Sequence, residues 1–290
     1  MNGKRGVLHF KPASRGARPR LLIGTALEAA RGALSSCPVA RKTLIAAALA
    51  MFILVGTAAA SRVVSEGIIV VANGSLTPNT LPKTHNAPIA LSASVNISTV
   101  SGASPPALQT VTLEFDRHDS LQTTGLRPCA SDQLQSTTVA QARRVCADAI
   151  VGKGEAHALV KLPEGQQTPV SLPITLFDGP SVHGDPSILA HAYLSDPVPT
   201  TYVVPIVIEP IRNGIYGYRT EVTIPSIAGA NGILLSGHVT IGRKWNYRSH
   251  HYSYVNARCE VGFLQTHGRL TFSNGYLLSG TLFEPCTARG

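Results

Sequence analysis

No phosphate-cradling G-x-x-x-x-G-K-[ST] loop, no G-x-G-x-x-G after a strand, no G-x-S-x-G elbow and no H-E-x-x-H pair occurs in these 290 residues. Nucleotide and dinucleotide enzymes and the common zinc proteases lose their signatures with them. Cysteine is scarce, five in all, and no C-x-x-C pair is present, so no zinc module has its ligands. Aromatics make up 6% of the chain with a single tryptophan, and no basic cluster interleaves with them. Base stacking therefore has no platform, and nucleic acid is not an expected partner. No metal and no cofactor is expected.

Acids are also scarce at one end. Residues 1 to 60 hold nine Lys/Arg against the single acid Glu28, whereas residues 61 to 290 hold sixteen against fifteen. The formal charge of +9 thus belongs almost wholly to the first sixty residues. Residues 1–40, rich in Arg, Gly, Pro and Ala, read as a disordered basic leader or as sequence upstream of a true start near Val39. Arg41 and Lys42 then precede an apolar run from Leu44 to Val55 and the small residues Ala58-Ala59-Ala60. A basic region, an apolar core and an A-x-A site compose a secretory signal peptide over 41–60, with Ser61 as the mature N-terminus. The competing reading is an uncleaved anchor over 43–60, just long enough to span a membrane, with the C-terminal part outside. Either way the remainder is exported, secreted or tethered outside the cytoplasm.

About 230 residues follow, enough for one large domain with its own core. Residues 61–88, with several prolines, read as a partly ordered linker before a β-rich domain over 89–290. "TVTLEFDR" alternates Val111, Leu113 and Phe115 with Thr112, Glu114 and Asp116, the period of a half-buried strand. Similar runs recur every 10 to 20 residues with Gly/Pro punctuation. The pattern predicts a mainly β protein, an antiparallel β-sandwich or open barrel. Asn213-Gly214 and Asn274-Gly275 are expected at the centres of type I′ hairpin turns. One short helix is expected in "STTVAQARRVCADAIVGKG", opened by a Thr138/Gln141 capping box and closed at Gly152.

Cys129, Cys146, Cys259 and Cys286 form an even set in an exported chain, so disulfides are expected. Three pairings are open. Cys129–Cys146, tying helix to loop, and Cys259–Cys286, closing the last hairpin, are favoured.

Three clusters carry candidate chemistry. Glu114 and Asp116, with His118 and Asp119, are the carboxylates a glycoside hydrolase or a calcium site would use; the bland alternative is the polar face of a strand. Trp245, Tyr247, Arg248, Tyr252 and Tyr254 compose a candidate binding face, since flat rings stack on a sugar or peptide while polar neighbours orient it. Adjacent His250 and His251 point to opposite strand faces and make a poor metal pair. His183, Asp185, His191 and Asp196 suggest triad partners, but nothing positions a nucleophile or an oxyanion hole. Asn73 and Asn96 are glycosylation sequons that matter only in a eukaryotic secretory pathway.

The runs "PTTYVVPIVI", "YGYRTEVTIPSIAGANG" and "TTVAQARRVCADAIVGKGEA" resemble a family of uncharacterised secreted proteins of high-GC bacteria, over roughly residues 90 to 290. The resemblance implies export and a β-rich fold and transfers no catalytic residue. The expected function is an exported, disulfide-bonded binding or cell-envelope component, its partner an envelope glycan or protein. The alternative is a carbohydrate-active hydrolase on a sandwich scaffold.

Overall fold

Apolar–polar alternation becomes paired strand wherever it is sustained. The computed structural model describes residues 59–229 and 232–290. In chain order the strands are β1 (Ala59–Ser65), β2 (Ile68–Thr77), β3 (Thr80–Pro82), β4 (Ala87–Thr99), β5 (Leu108–Asp116) and β6 (Asp119–Leu121). Helices α1 (Ser131–Leu134) and α2 (Val139–Val145) and a single 3-10 turn (Ala147–Ala149) come next. Then follow β7 (Ile150–Lys161), β8 (Gln167–Val182), β9 (Asp185–Leu194), β10 (Thr200–Val207), β11 (Glu209–Asn213), β12 (Tyr216–Thr223) and β13 (Gly232–Ile241). The chain ends with β14 (Lys244–Tyr247), β15 (His250–Ser253), β16 (Val255–Ala257), β17 (Phe263–Phe272), β18 (Leu277–Pro285) and β19 (Thr287–Arg289).

The larger sheet runs β1-β2-β4-β13-β7-β8-β9-β10, with β16 pairing β4 and β6 pairing β16, and the second runs β11-β12-β5-β17-β18. Their pairings are antiparallel, whereas the short pair β3–β19 is parallel. Neither main sheet closes on itself among the described residues, so the fold is sandwich-like, as the spacing of turns predicts. Apolar clusters mix residues from both sheets: Ile68, Val70 and Ile97 pack with Leu108, Phe272 and Leu278.

Several local expectations are corrected. The 61–88 segment is not a linker. Ile68–Thr77 pairs along its whole length with Ala90–Thr99 of β4, and Ile68 and Val70 are core residues. Its Val/Ile run outweighs its prolines, which fall at Pro78 and later, outside the ladder. Residues 1–58, with the expected leader and most of the signal or anchor, lie outside the described residues. The expected cut before Ser61 falls within β1, and Ser61–Ser65 keep their partners Ala72–Ile68.

Neither Asn-Gly pair forms a type I′ turn. In the β11–β12 hairpin Asn213 opposes Tyr216, so the central pair is Gly214-Ile215, with glycine alone at positive φ (61°). That is the type II′ pattern. Between β17 and β18 the loop is Ser273-Asn274-Gly275: Gly275 N–H donates to the Phe272 carbonyl, and Gly275 takes φ 82°. A type I turn closed by a left-handed glycine is the usual three-residue solution. Both central residues are left-handed instead at Glu66-Gly67, His183-Gly184 and Arg248-Ser249.

The helical region is two pieces rather than one. The Thr138/Gln141 capping box forms: the Thr138 hydroxyl accepts from Gln141 N–H, and Gln141 Oε1 accepts from Thr138 N–H at 2.8 Å. The helix stops at Cys146, and Gly152 is a strand residue of β7. A side chain at Gly152 would run into the Thr240 carbonyl of β13, so glycine serves strand packing there. Both favoured disulfides are present, Cys129–Cys146 with Cα atoms 5.6 Å apart and Cys259–Cys286 with 6.0 Å. Two bridges in one chain suggest an oxidising, extracytoplasmic environment. Among the described residues no helix is long and apolar enough to cross a membrane.

Candidate ligand cavity and its carboxyl cluster

Strand alternation decides which side chains fill the space between the two sheets, and several of them are too small to fill it. On β2 the inward residue after Val70 is Ala72; on β4 the inward series passes through Ala93, and on β13 through Gly237. The facing sheet contributes Gly268 of β17 directly opposite Gly280 of β18. A cavity of about 300 Å³ results, walled by Val63, Val95, Val111, Leu113, Phe115, Leu270, Leu278 and Leu282. A Cβ added at Gly237 has one neighbour within 4 Å, the Glu155 carbonyl at 3.9 Å, so a side chain can start there without a clash. The volume lies at the lower end for small-molecule sites, and the walls have the apolar character such sites share.

One carboxyl interrupts the apolar wall. Glu284 continues the inward series Leu278, Gly280, Leu282 on β18 and is only 4% exposed. It lies against Gly74, where any side chain would collide with its Oε1. Its side-chain partner is the Thr266 hydroxyl, at 3.4 Å. Burial pushes the Glu284 carboxyl up to about 7, and the Asp116 charge adds to the rise. Burial likewise holds Asp119 well above the usual carboxylate range, with Asp116 and Glu284 pushing the same way.

His118 is the base set among these acids. Its Nδ1 lies 2.8 Å from Asp116 Oδ1 and its Nε2 2.7 Å from Glu260 Oε2. Asp116 is fixed further, accepting from the backbone N–H of His118 at 3.0 Å and of Gln265 at 3.2 Å. The Cys259–Cys286 bridge ties down the segments carrying Glu260 and Glu284.

The two carboxylates of the hydrolase alternative have separate partners. Glu114 is held by Arg219, which donates to its Oε1 from Nε at 3.1 Å and Nη2 at 2.6 Å. Asp116 is held by His118. Among the described residues no group of three or more His, Cys, Asp or Glu is arranged to hold a metal ion.

The aromatic candidates divide. Trp245 and Tyr252 sit opposite each other on β14 and β15 and stack on one another with centroids 5.7 Å apart. Trp245 Nε1 donates to the Thr124 carbonyl at 3.1 Å, so its polar edge is engaged. Arg248 lies over the Tyr247 ring, 5.2 Å from its centroid. Tyr254 does not belong to that face: it is wholly buried and donates to Asp178 Oδ1 at 3.1 Å. The chain turns inward after Ser253, and the ring becomes core. Burial pushes the Asp178 carboxyl up to about 6, against the lowering effects of the Tyr254 hydroxyl and Arg243. The second histidine cluster is not assembled either. His183 occupies the β8–β9 turn, while His191 is buried mid-strand with Nε2 at 3.0 Å from the Thr137 hydroxyl and 3.1 Å from its carbonyl.

Sequence reasoning passed over Glu284 and the hollow beside it. The signal was there in "LLSGTLFEP", where strict alternation puts an ionisable residue and a glycine on the side of Leu278 and Leu282.

The chain matches no family model, and no curated protein matches it either.

Proposed function

We propose that this is an exported binding protein of the cell envelope whose ligand is an apolar small molecule held between its two sheets. The observation that carries the reading is the hollow itself. Protein interiors are close-packed, and an unfilled interior costs stability, about 24 cal/mol for each Å³ left empty in the lysozyme Leu→Ala series. Here Ala72, Ala93, Gly237 and Gly268 leave space that larger strand-forming residues would fill. A binding role supplies the reason to leave it open. Export is supported by the two disulfides, by the signal-like sequence before Ser61 and by the resemblance to secreted proteins. The N-terminus of the chain recovered from the exported fraction is expected at Ser61, read by N-terminal sequencing.

The test of the binding reading fills the space. Gly237→Leu places a side chain in the hollow from a strand position whose φ is not left-handed. The wild-type chain is expected to bind an apolar fluorophore such as a naphthalene sulfonate or a long-chain ester probe. The variant is expected to lose at least about tenfold in affinity at undiminished melting temperature. Equal binding by the two would remove the cavity as the site.

A further inference from the structure

We infer that the cavity takes a single-tailed amphiphile with a cationic amine head, the tail lying between the sheets and the ammonium meeting the Glu284 carboxylate. The inference rests on the binding-protein reading above and names the chemistry of its ligand. An apolar wall recognises only a tail; the head is read by whatever polar group the wall contains. Among the described residues no Lys or Arg lines the cavity, and the ionisable ones that do are Glu284 and His238. His238 is exposed and pairs across from Ser94, in the outward register of β13 and β4, so Glu284 is the ionisable group facing the space.

The surroundings of Glu284 set the sign of the head. Asp116 and Asp119 lie near enough to raise the cost of its charge. From β17 it meets the neutral Thr266 hydroxyl, and from β2 it meets Gly74. The base in the cluster, His118, is already placed between Asp116 and Glu260. Arg219 is committed to Glu114. The cluster is therefore short of positive charge. A carboxylate or phosphate head brought to this end would face like charge in a place with little water to screen it. A hydroxyl head would gain one neutral hydrogen bond. An ammonium would gain a charge-assisted hydrogen bond to Glu284 and the attraction of the two carboxyls behind it. Opposite charge supplied by the ligand also removes the reason for Glu284 to stay protonated.

The experiment uses the full chain with its disulfides intact and measures displacement of the apolar fluorophore near pH 8, where Glu284 is ionised. The probes are dodecylamine, dodecanol and dodecanoate, each below its micelle concentration. The amine is expected to bind at least about tenfold more tightly than the alcohol, and the carboxylate most weakly. Glu284→Gln is expected to collapse the gap between amine and alcohol, and Asp119→Asn, one carboxyl further back, to narrow it. Near-UV circular dichroism establishes that both variants are folded. Alcohol binding as tight as amine binding, tighter carboxylate binding, or an unchanged gap in Glu284→Gln would each overturn the inference while leaving the cavity as a binding site. If neither the fluorophore nor any of the three binds the wild-type chain, the binding reading itself fails, and this inference with it.

Discussion

Tyr254 illustrates how a single side chain changes meaning with one turn of the backbone. By composition it belongs with Trp245, Tyr247 and Tyr252; by position it is a core residue whose hydroxyl is the hydrogen-bond partner of a buried carboxyl. A buried acceptor that loses its donor bears its desolvation cost alone, about 1–3 kcal/mol and more when charged. Tyr254→Phe is therefore expected to destabilise the fold by about that amount. The loss is expected to be larger near pH 8 than near pH 5, because Asp178, pushed up to about 6, is charged in the first condition and mostly neutral in the second. Urea unfolding at the two pH values measures it. An equal loss at both would mean that the hydroxyl serves packing rather than the carboxylate.

At the level of elements, the disulfide Cys129–Cys146 closes a 17-residue separation around α1 and α2, each too short to hold together alone. Leu134, Ala142 and Ala149 pack beneath it on Phe177 and Leu189 of the large sheet. The double substitution Cys129→Ser, Cys146→Ser is expected to cost about 3 kcal/mol, read as a lowered denaturant midpoint. The strands, the helix opening and both bridges were legible because each depends on neighbours in sequence: alternation, a capping pair, a hairpin that brings two cysteines together. The role of β1 and β2 was not, because the prolines and Asn73-Gly74 of that segment look like linker until Ile68–Thr77 is seen pairing with β4. The turn types were missed for a related reason. An Asn-Gly pair marks a reversal, but the register of the flanking strands decides which residues stand at its centre. The cavity was least legible of all, since a small residue at an inward position is packing or space depending on what faces it from a strand far along the chain. Gly268 and Gly280 meet only because β17 and β18 pair, and Gly237 is opposed to neither in sequence.

For the molecule as a whole, the buried acids give stability a pH dependence whose sign follows from their surroundings. Glu284 is pushed up to about 7 and Asp178 to about 6, and Asp119 is raised as well, all above their unfolded values. Between roughly pH 4 and pH 7 the folded chain thus holds protons that the unfolded chain has released. Their contribution is fully present below the unfolded values and is lost as pH rises through 6 and then 7. His191 works the other way: burial lowers it, so its neutral form is favoured in the fold and its contribution is lost on the acid side. Three carboxyls against one histidine make stability fall from about pH 4 to about pH 7, the window in which the unfolded chain has released protons that Glu284 and Asp178 still hold. For Glu284 the difference from its ordinary value corresponds to on the order of 3 kcal/mol at the alkaline end. Glu284→Gln removes that titration and keeps the shape of the side chain. Its melting temperature is expected to exceed the wild type's near pH 8 and to match it near pH 5, with calorimetry at the two values as the measurement. Because an ammonium bound at Glu284 would repay the same cost, dodecylamine is expected to raise the melting temperature of the wild type near pH 8 and to raise that of the variant by less. A buried acid that weakens the empty protein at neutral pH is then the same group that makes the loaded one the more stable form.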